Sequence, residues 1–145
     1  MKYYIAYGSN LNRSLMKKFC PGSELVAKAK IKNAVLRFRG HGYLNLEIGD
    51  FDTFVYTAIW KIDRACEKAL DIYEDYPKLY DKVEIDIKIK DDLVKAFYYK
   101  MNKPYDSERA MPKKKYVKTV LKGYKDMNFE TSALDDAIEE IGFEK

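Results

Sequence analysis

Apolar and polar positions alternate from the first residues of the chain. Tyr3, Ile5 and Tyr7 interleave with Lys2, Tyr4 and Ala6, which predicts a strand over 2–7. Gly8-Ser9-Asn10 interrupts it as a turn. Asn12 is placed to cap a short helix running to Phe19, and Pro21-Gly22 ends that helix. Leu25, Ala27, Ala29 and Ile31 then alternate with Val26, Lys28 and Lys30, and Leu36 and Phe38 alternate with Arg37 and Arg39. Beyond a flexible Gly40-His41-Gly42 break come a strand at 43–48, a turn at Gly49-Asp50 and a continuously apolar run at 53–60 that reads as a buried strand.

Asp63 is a good N-cap for a helix over 64–76, with Pro77 at its far end. Val83, Ile85, Ile87 and Ile89 alternate with Glu84, Asp86 and Lys88, the clearest half-buried strand in the chain, and Asp91-Asp92 turns it into another at 93–100. Residues 101–111 read as a loop, 113–122 as a helix stopped by Gly123, and Ser132 as the cap of a last helix with Leu134, Ala137, Ile138 and Ile141 on one face. Strands outnumber helices and most connections look like hairpins. The pattern predicts a single α+β domain over 1–145, with a small, mixed, mostly antiparallel, barrel-like sheet and flanking helices. A doubly wound fold does not fit this order.

Composition narrows the function. The net charge of +4 is a mild excess, suited to an anionic small molecule and too weak for a nucleic-acid footprint. The Lys113-Lys114-Lys115 run reads as a solvated helix start. No apolar run reaches the length of a membrane span, and the N-terminus is too short and polar for a signal peptide, so the expected location is the cytoplasm. Cys20 and Cys66 make no disulfide framework and lack metal-site spacing, and His41 is the one histidine. Neither a metal nor another cofactor is expected, and the cysteines read as buried, unreactive thiols. The thirteen tyrosines divide between core residues with a polar tip and pocket residues, in a ratio that composition does not set. Oligomeric state has no signal here.

Two places could carry chemistry. A strand that feeds the turn Tyr7-Gly8-Ser9-Asn10-Leu11 just before a helix exposes backbone N–H groups, which bind carboxylates and polarised carbonyls. The same residues also read as an ordinary strand-to-helix turn. Glu74 lies four residues after Leu70 and eight after Cys66, at or beside the apolar stripe of its helix. A carboxylate there is costly without a partner, so its pKa should rise and suit proton transfer near neutrality. A stripe-edge glutamate that reaches water or a lysine is the plainer alternative. Tyr80, past Pro77, either folds back over the same pocket or packs in the core. His41 has no recognisable nucleophile partner.

Tyr7-Gly8-Ser9-Asn10-Leu11 resembles the YGSNL signature of the γ-glutamylcyclotransferase (AIG2-like) family, and Leu70-Asp71-Ile72-Tyr73-Glu74 resembles its LDxxE segment. Tyr80 falls where that family has a tyrosine soon after the glutamate, and Pro112, Tyr116 and Gly123 look like its late Pro-x-x-x-Tyr…Gly segment. Asp75 departs from the glycine often found after the glutamate, which adds a like charge beside Glu74 or alters the helix end. The resemblance implies a cofactor-independent enzyme with Glu74 as catalytic acid/base. It implies a substrate pocket of Tyr7, Gly8, Ser9, Asn10, Leu11, Tyr80 and Tyr116. The expected partner is a small-molecule γ-glutamyl substrate, with no nucleic acid and no membrane. The expected reaction closes a γ-glutamyl amide to 5-oxoproline and frees an amine. A non-catalytic module binding a γ-glutamyl or amino-acid-like ligand is the alternative.

Overall fold

The computed structural model describes residues 1–144. Lys145, the last residue of the expected domain, lies outside the described residues. The N-terminal alternation forms β1 (Lys2–Ala6), followed by a single 3-10 turn (Ser9–Leu11) and α1 (Arg13–Phe19). The Asn12 side chain caps α1 as expected, accepting the Leu15 N–H at 3.0 Å. Next come β2 (Glu24–Lys32), β3 (Ala34–Arg39), β4 (Tyr43–Ile48) and β5 (Phe54–Ile62). α2 (Arg64–Tyr73) is capped by Asp63, whose carboxylate accepts the Cys66 N–H at 2.8 Å. The hairpin β6 (Tyr80–Ile89) and β7 (Asp92–Met101) precedes α3 (Lys114–Met127) and α4 (Ser132–Ile141).

Five strands form one sheet in the order β2-β5-β1-β7-β6. β1 runs antiparallel to β5, from Lys2 opposite Ile62 to Ala6 opposite Ala58, and parallel to β7 at Tyr4 opposite Phe97. All other pairs are antiparallel, so the sheet is mixed and mostly antiparallel as the pattern predicts. It curls until the outer strands β2 and β6 approach, yet no ladder joins them, so the barrel is not closed. β3 and β4 form a separate hairpin that packs against β5 and β7. Asn45, fully buried on β4, locks it there by accepting the Met101 N–H at 2.9 Å.

Four expectations need correction. The helix over 64–76 stops at Tyr73, and Glu74 is its C-cap. Asp75 then turns left-handed at φ 52°, a conformation that aspartate tolerates better than most side chains and that favours glycine. The helix expected to stop at Gly123 runs on to Met127 and ends at left-handed Asn128, because Val117, Val120, Tyr124 and Met127 continue one buried face. Gly123 serves close packing instead: a Cβ there would meet Asn12 N and Leu11 Cβ at 2.7 Å. Ser132 is the first residue of α4 rather than its cap, a position taken by Thr131. Finally, Cys20 and Cys66 are disulfide-bonded, not free thiols. Sequence spacing could not reveal this, since the contact arises where the end of α1 meets the start of α2.

Candidate active site

A cavity of about 90 Å³ opens at one end of the sheet. The 3-10 turn contributes Gly8, Ser9 and Asn10 to its wall, the end of α2 contributes Tyr73 and Glu74, and β4 contributes Tyr43 and Leu44. Tyr4, Tyr7, Leu79, Tyr80, Tyr99 and Tyr116 complete it. Seven of the thirteen tyrosines therefore line this one space, which explains their abundance as a pocket feature more than a core feature. Of the expected site residues, Leu11 alone stands apart. It is fully buried under Gly123 and does not line the cavity, because the 3-10 turn directs it into the core. His41 is exposed against Tyr105 and is not part of the wall.

The turn and the helix end are joined directly. Ser9 Oγ and Tyr73 Oη lie 2.9 Å apart, and the Tyr73 ring packs on Phe19 of α1 at 4.5 Å between centroids. The Cys20–Cys66 disulfide ties the same two helices together further back. Within the turn, the Leu11 and Asn12 N–H groups bond to the Gly8 and Ser9 carbonyls. The Ser9 and Asn10 N–H groups have no partner that such a turn can supply, and no side chain caps it.

Hydrogen bonding sorts the tyrosines by role. Tyr80 donates to the Leu44 carbonyl at 2.7 Å, and Tyr7 donates to the Tyr99 carbonyl at 2.7 Å. Tyr99 donates to Asp71 at 2.7 Å, and Asp71 in turn pairs with Lys82. Those hydroxyl protons are spent on holding the walls. Tyr4 instead accepts from Asn10 Nδ2 at 2.9 Å, and Tyr116 accepts from the Leu44 N–H at 3.1 Å. Each keeps its own proton free to donate. Burial raises the hydroxyl pKa of all five, so they stay protonated at neutral pH. Asn10 Oδ1, buried in the same wall, has no partner among the described residues.

Glu74 is the one formally charged group on the cavity wall among the described residues. Burial pushes its carboxyl from 4.5 to about 8. No charge or hydrogen bond offsets that rise, and Asp75 does not contribute to it. Asp75 therefore acts on the helix end and not on the carboxyl. The arrangement is a proton carrier poised near neutrality, the free hydroxyl donors of Tyr4 and Tyr116, and an uncapped turn around one small space.

The sequence pattern described as "Gamma-glutamyl cyclotransferase, AIG2-like" matches residues 4–118. The chain belongs to this family. The matched span holds every residue of the cavity wall. Among solved structures, a γ-glutamyl cyclotransferase superposes at TM-score 0.75 with 20% identity, over 99% of this chain and 88% of its own. An uncharacterised human protein superposes at TM-score 0.75 with 21% identity, over 99% and 88%. An AIG2-like protein from Mus musculus does so at TM-score 0.60 with 19% identity, over 77% and 84%. Likeness at these identities concerns the γ-glutamyl cyclotransferase fold. No curated protein matches the chain by sequence.

Sequence reasoning missed Tyr4, Tyr43, Tyr73, Tyr99, Leu44 and Leu79. Tyr4 and Tyr99 sit on strands β1 and β7, where period-two alternation marks a face but not the end of the sheet that opens. Tyr43 has no local signal. Tyr73 is legible only as part of the Leu70–Glu74 segment, with no signal for the cavity, where it lines the wall and is 39% exposed.

Proposed function

We propose that this chain is a γ-glutamylcyclotransferase that converts a γ-glutamyl amide to 5-oxoproline and a free amine. The observation that carries the reading is Glu74, half-buried, without a partner among the described residues and raised by desolvation to about 8, in a cavity that Gly8, Ser9 and Asn10 of the uncapped turn also line. The substrate supplies its own nucleophile. Its α-amine nitrogen bonds to the γ-carbonyl carbon, and the bond from that carbon to the leaving amine breaks. The amine reacts in its unprotonated form: as it attacks, the Glu74 carboxylate takes one of its two protons, and Glu74 then delivers that proton to the departing nitrogen, so the carboxylate returns to its starting state. Because the nucleophile belongs to the substrate, Ser9, whose hydroxyl is bonded to that of Tyr73, need not attack.

The turn N–H groups of Ser9 and Asn10 suit the glutamyl carboxylate, since no lysine or arginine lines the cavity among the described residues. Asn10 Oδ1 is free to accept from the α-amine. Tyr4 and Tyr116 donate to the γ-carbonyl oxygen as negative charge develops on it. Holding amine and carbonyl together in a folded pose supplies much of the acceleration, up to roughly 7–11 kcal/mol in well-oriented intramolecular reactions.

The test is 5-oxoproline release from γ-glutamyl amino acids and γ-glutamyl amines, with wild type beside Glu74→Gln. Wild type is expected to form product, and Glu74→Gln to lose about two to four powers of ten in kcat while remaining folded. No product from any amide with folded wild type would overturn the enzymatic reading. Saturable stabilisation of the protein by those amides without turnover would point instead to a binding module.

A further inference from the structure

One wall hydroxyl of the cavity answers to a charge that lies outside it. Tyr99, on β7, is buried on the cavity wall, and its hydroxyl donates to Asp71 Oδ1 at 2.7 Å. Asp71 does not line the cavity. It lies three residues before Glu74 along α2, and side chains at that spacing stand about 5–6 Å apart at their Cβ atoms. The Tyr99 proton is therefore held within about one helical turn of the Glu74 carboxyl. Burial, the bond to Asp71 and the Glu74 charge all keep that hydroxyl protonated.

Asp71 is itself braced. Lys82, on β6 opposite Tyr99, meets Asp71 Oδ1 at 2.8 Å and Glu67 Oε2 at 2.7 Å. Its ammonium lies 4.3 Å from the centre of the Tyr76 ring, and the Tyr76 N–H donates to the Asp71 carbonyl at 2.9 Å. A carboxylate fixed in this way is a stronger acceptor for a hydroxyl than a neutral carbonyl is. Neither Lys82 nor Glu67 lines the cavity, and the reaction described above uses none of the three.

The other groups facing Glu74 are engaged with neutral partners. From β1 and the turn after it, Tyr4 accepts from Asn10 and Tyr7 donates to the Tyr99 carbonyl. From β6, Tyr80 donates to the Leu44 carbonyl, and from α3, Tyr116 accepts from the Leu44 N–H. On α2 itself Tyr73 shares a hydrogen bond with Ser9, and Tyr43 of β4 meets Tyr116 edge-on. Asp75, next in the chain, does not move the Glu74 carboxyl, and no lysine or arginine lines the cavity among the described residues. Tyr99 alone on this wall gives its proton to an anion.

We propose that Asp71, braced by Lys82, is a positioning residue of the active site: it draws the Tyr99 hydroxyl to itself and so leaves the Glu74 carboxylate without a donor. A bare carboxylate is the stronger base, as taking a proton from the substrate amine requires. The use of this arrangement rests on the cyclotransferase reading above, while the arrangement itself is open to test without turnover.

The experiment is an NMR titration of protein carrying carbon-13 in its glutamate carboxyls, in which Glu74 is the resonance absent from Glu74→Gln. Asp71→Leu releases the Tyr99 proton to Glu74, and the Glu74 midpoint is expected to fall by about one pH unit or more. Asp71→Asn keeps an acceptor for Tyr99 and should hold the wild-type midpoint. Tyr99→Phe should hold it too, and combining Tyr99→Phe with Asp71→Leu should restore it. At a pH above both midpoints Asp71→Leu should also lose kcat several-fold, because its carboxylate is the weaker base. A merely structural Asp71 would cost stability and rate with the Glu74 midpoint unmoved, and that result would overturn the proposal. So would a midpoint that stays low in the double variant, or one that rises in Tyr99→Phe alone. If Asp71→Leu fails to fold, Tyr99→Phe still decides: an unchanged midpoint supports the proposal and a raised one overturns it. Failure of the folded wild type to turn over any γ-glutamyl amide would overturn the cyclotransferase reading, and the titration would still decide what Asp71 does to Glu74.

Discussion

Replacing Glu74 with glutamine separates its cost to the fold from its use in catalysis. Burial holds the carboxyl at about 8 in the folded protein, against 4.5 when it is free in solvent. The native state therefore binds this proton more tightly than the unfolded chain does. Between those two values the native state carries more protons, and stability falls as pH rises. Below pH about 4.5 the penalty is absent, and above pH about 8 it is complete. A displacement of that size is worth on the order of 5 kcal/mol, an upper value because the cavity opens to solvent. Glutamine keeps the shape and never ionises. Glu74→Gln should thus match wild type in thermal stability near the acid end of the range and exceed it increasingly toward alkaline pH. At roughly 2–4 °C per kcal/mol for a chain of this size, the Tm gap should reach on the order of 10 °C. Glu67, Asp126 and Glu140, whose carboxyls are held low, largely by lysine and arginine partners, destabilise both proteins alike as pH falls through their lowered pKa values, so they cancel in the difference. The assay is differential scanning calorimetry of the two proteins at a series of pH values, beside 5-oxoproline release. A Tm gap that stays constant across pH would refute the desolvated, unpartnered carboxyl, and equal losses of stability and activity would refute its catalytic role.

Other substitutions probe the rest of the site and its frame. Tyr116→Phe removes a free donor and should cost about a hundredfold in kcat/KM, whereas Tyr80→Phe removes a donor already spent on Leu44 and should cost about 1 kcal/mol of stability with little change in rate; steady-state kinetics and denaturant unfolding distinguish them, and the reverse order would refute the sorting of hydroxyls. Gly123→Ala gains helix propensity of about 1 kcal/mol but drives a Cβ to 2.7 Å from Leu11 and Asn12, so urea unfolding should register a net loss of about 1–3 kcal/mol. Reduction of Cys20–Cys66, or Cys66→Ser, opens a loop of sequence separation 46 and should lower unfolding free energy by about 4 kcal/mol, read by unfolding with and without reductant.

The local pattern reached far in some elements and stopped short in others. Asn12 and Asp63 are legible as caps in the sequence, because capping is decided within three residues of the chain. β6 was legible for the same reason: one face meets the core and the other meets water, and period two records it. Gly123 misled because a glycine that ends a helix and a glycine that admits a neighbouring backbone look the same in one dimension. Asp75 hid the end of α2, since a left-handed residue there is ordinarily announced by glycine.

By itself, the sequence determined the α+β class, the main strands and helices, the turn after β1 and a place for Glu74 at or beside an apolar stripe. These depend on residues within one or two turns of one another. The tertiary structure alone decided that the turn and Glu74 share a cavity, that Tyr4, Tyr43, Tyr99 and Tyr116 close around it, and that Cys20 meets Cys66. Those pairs are far apart along the chain and meet only because β1 lies between β5 and β7 and α1 lies against α2. The raised pKa of Glu74 belongs to both levels. The stripe foretells burial, but only the packed walls show that no cation or hydrogen-bond donor arrives to relieve it.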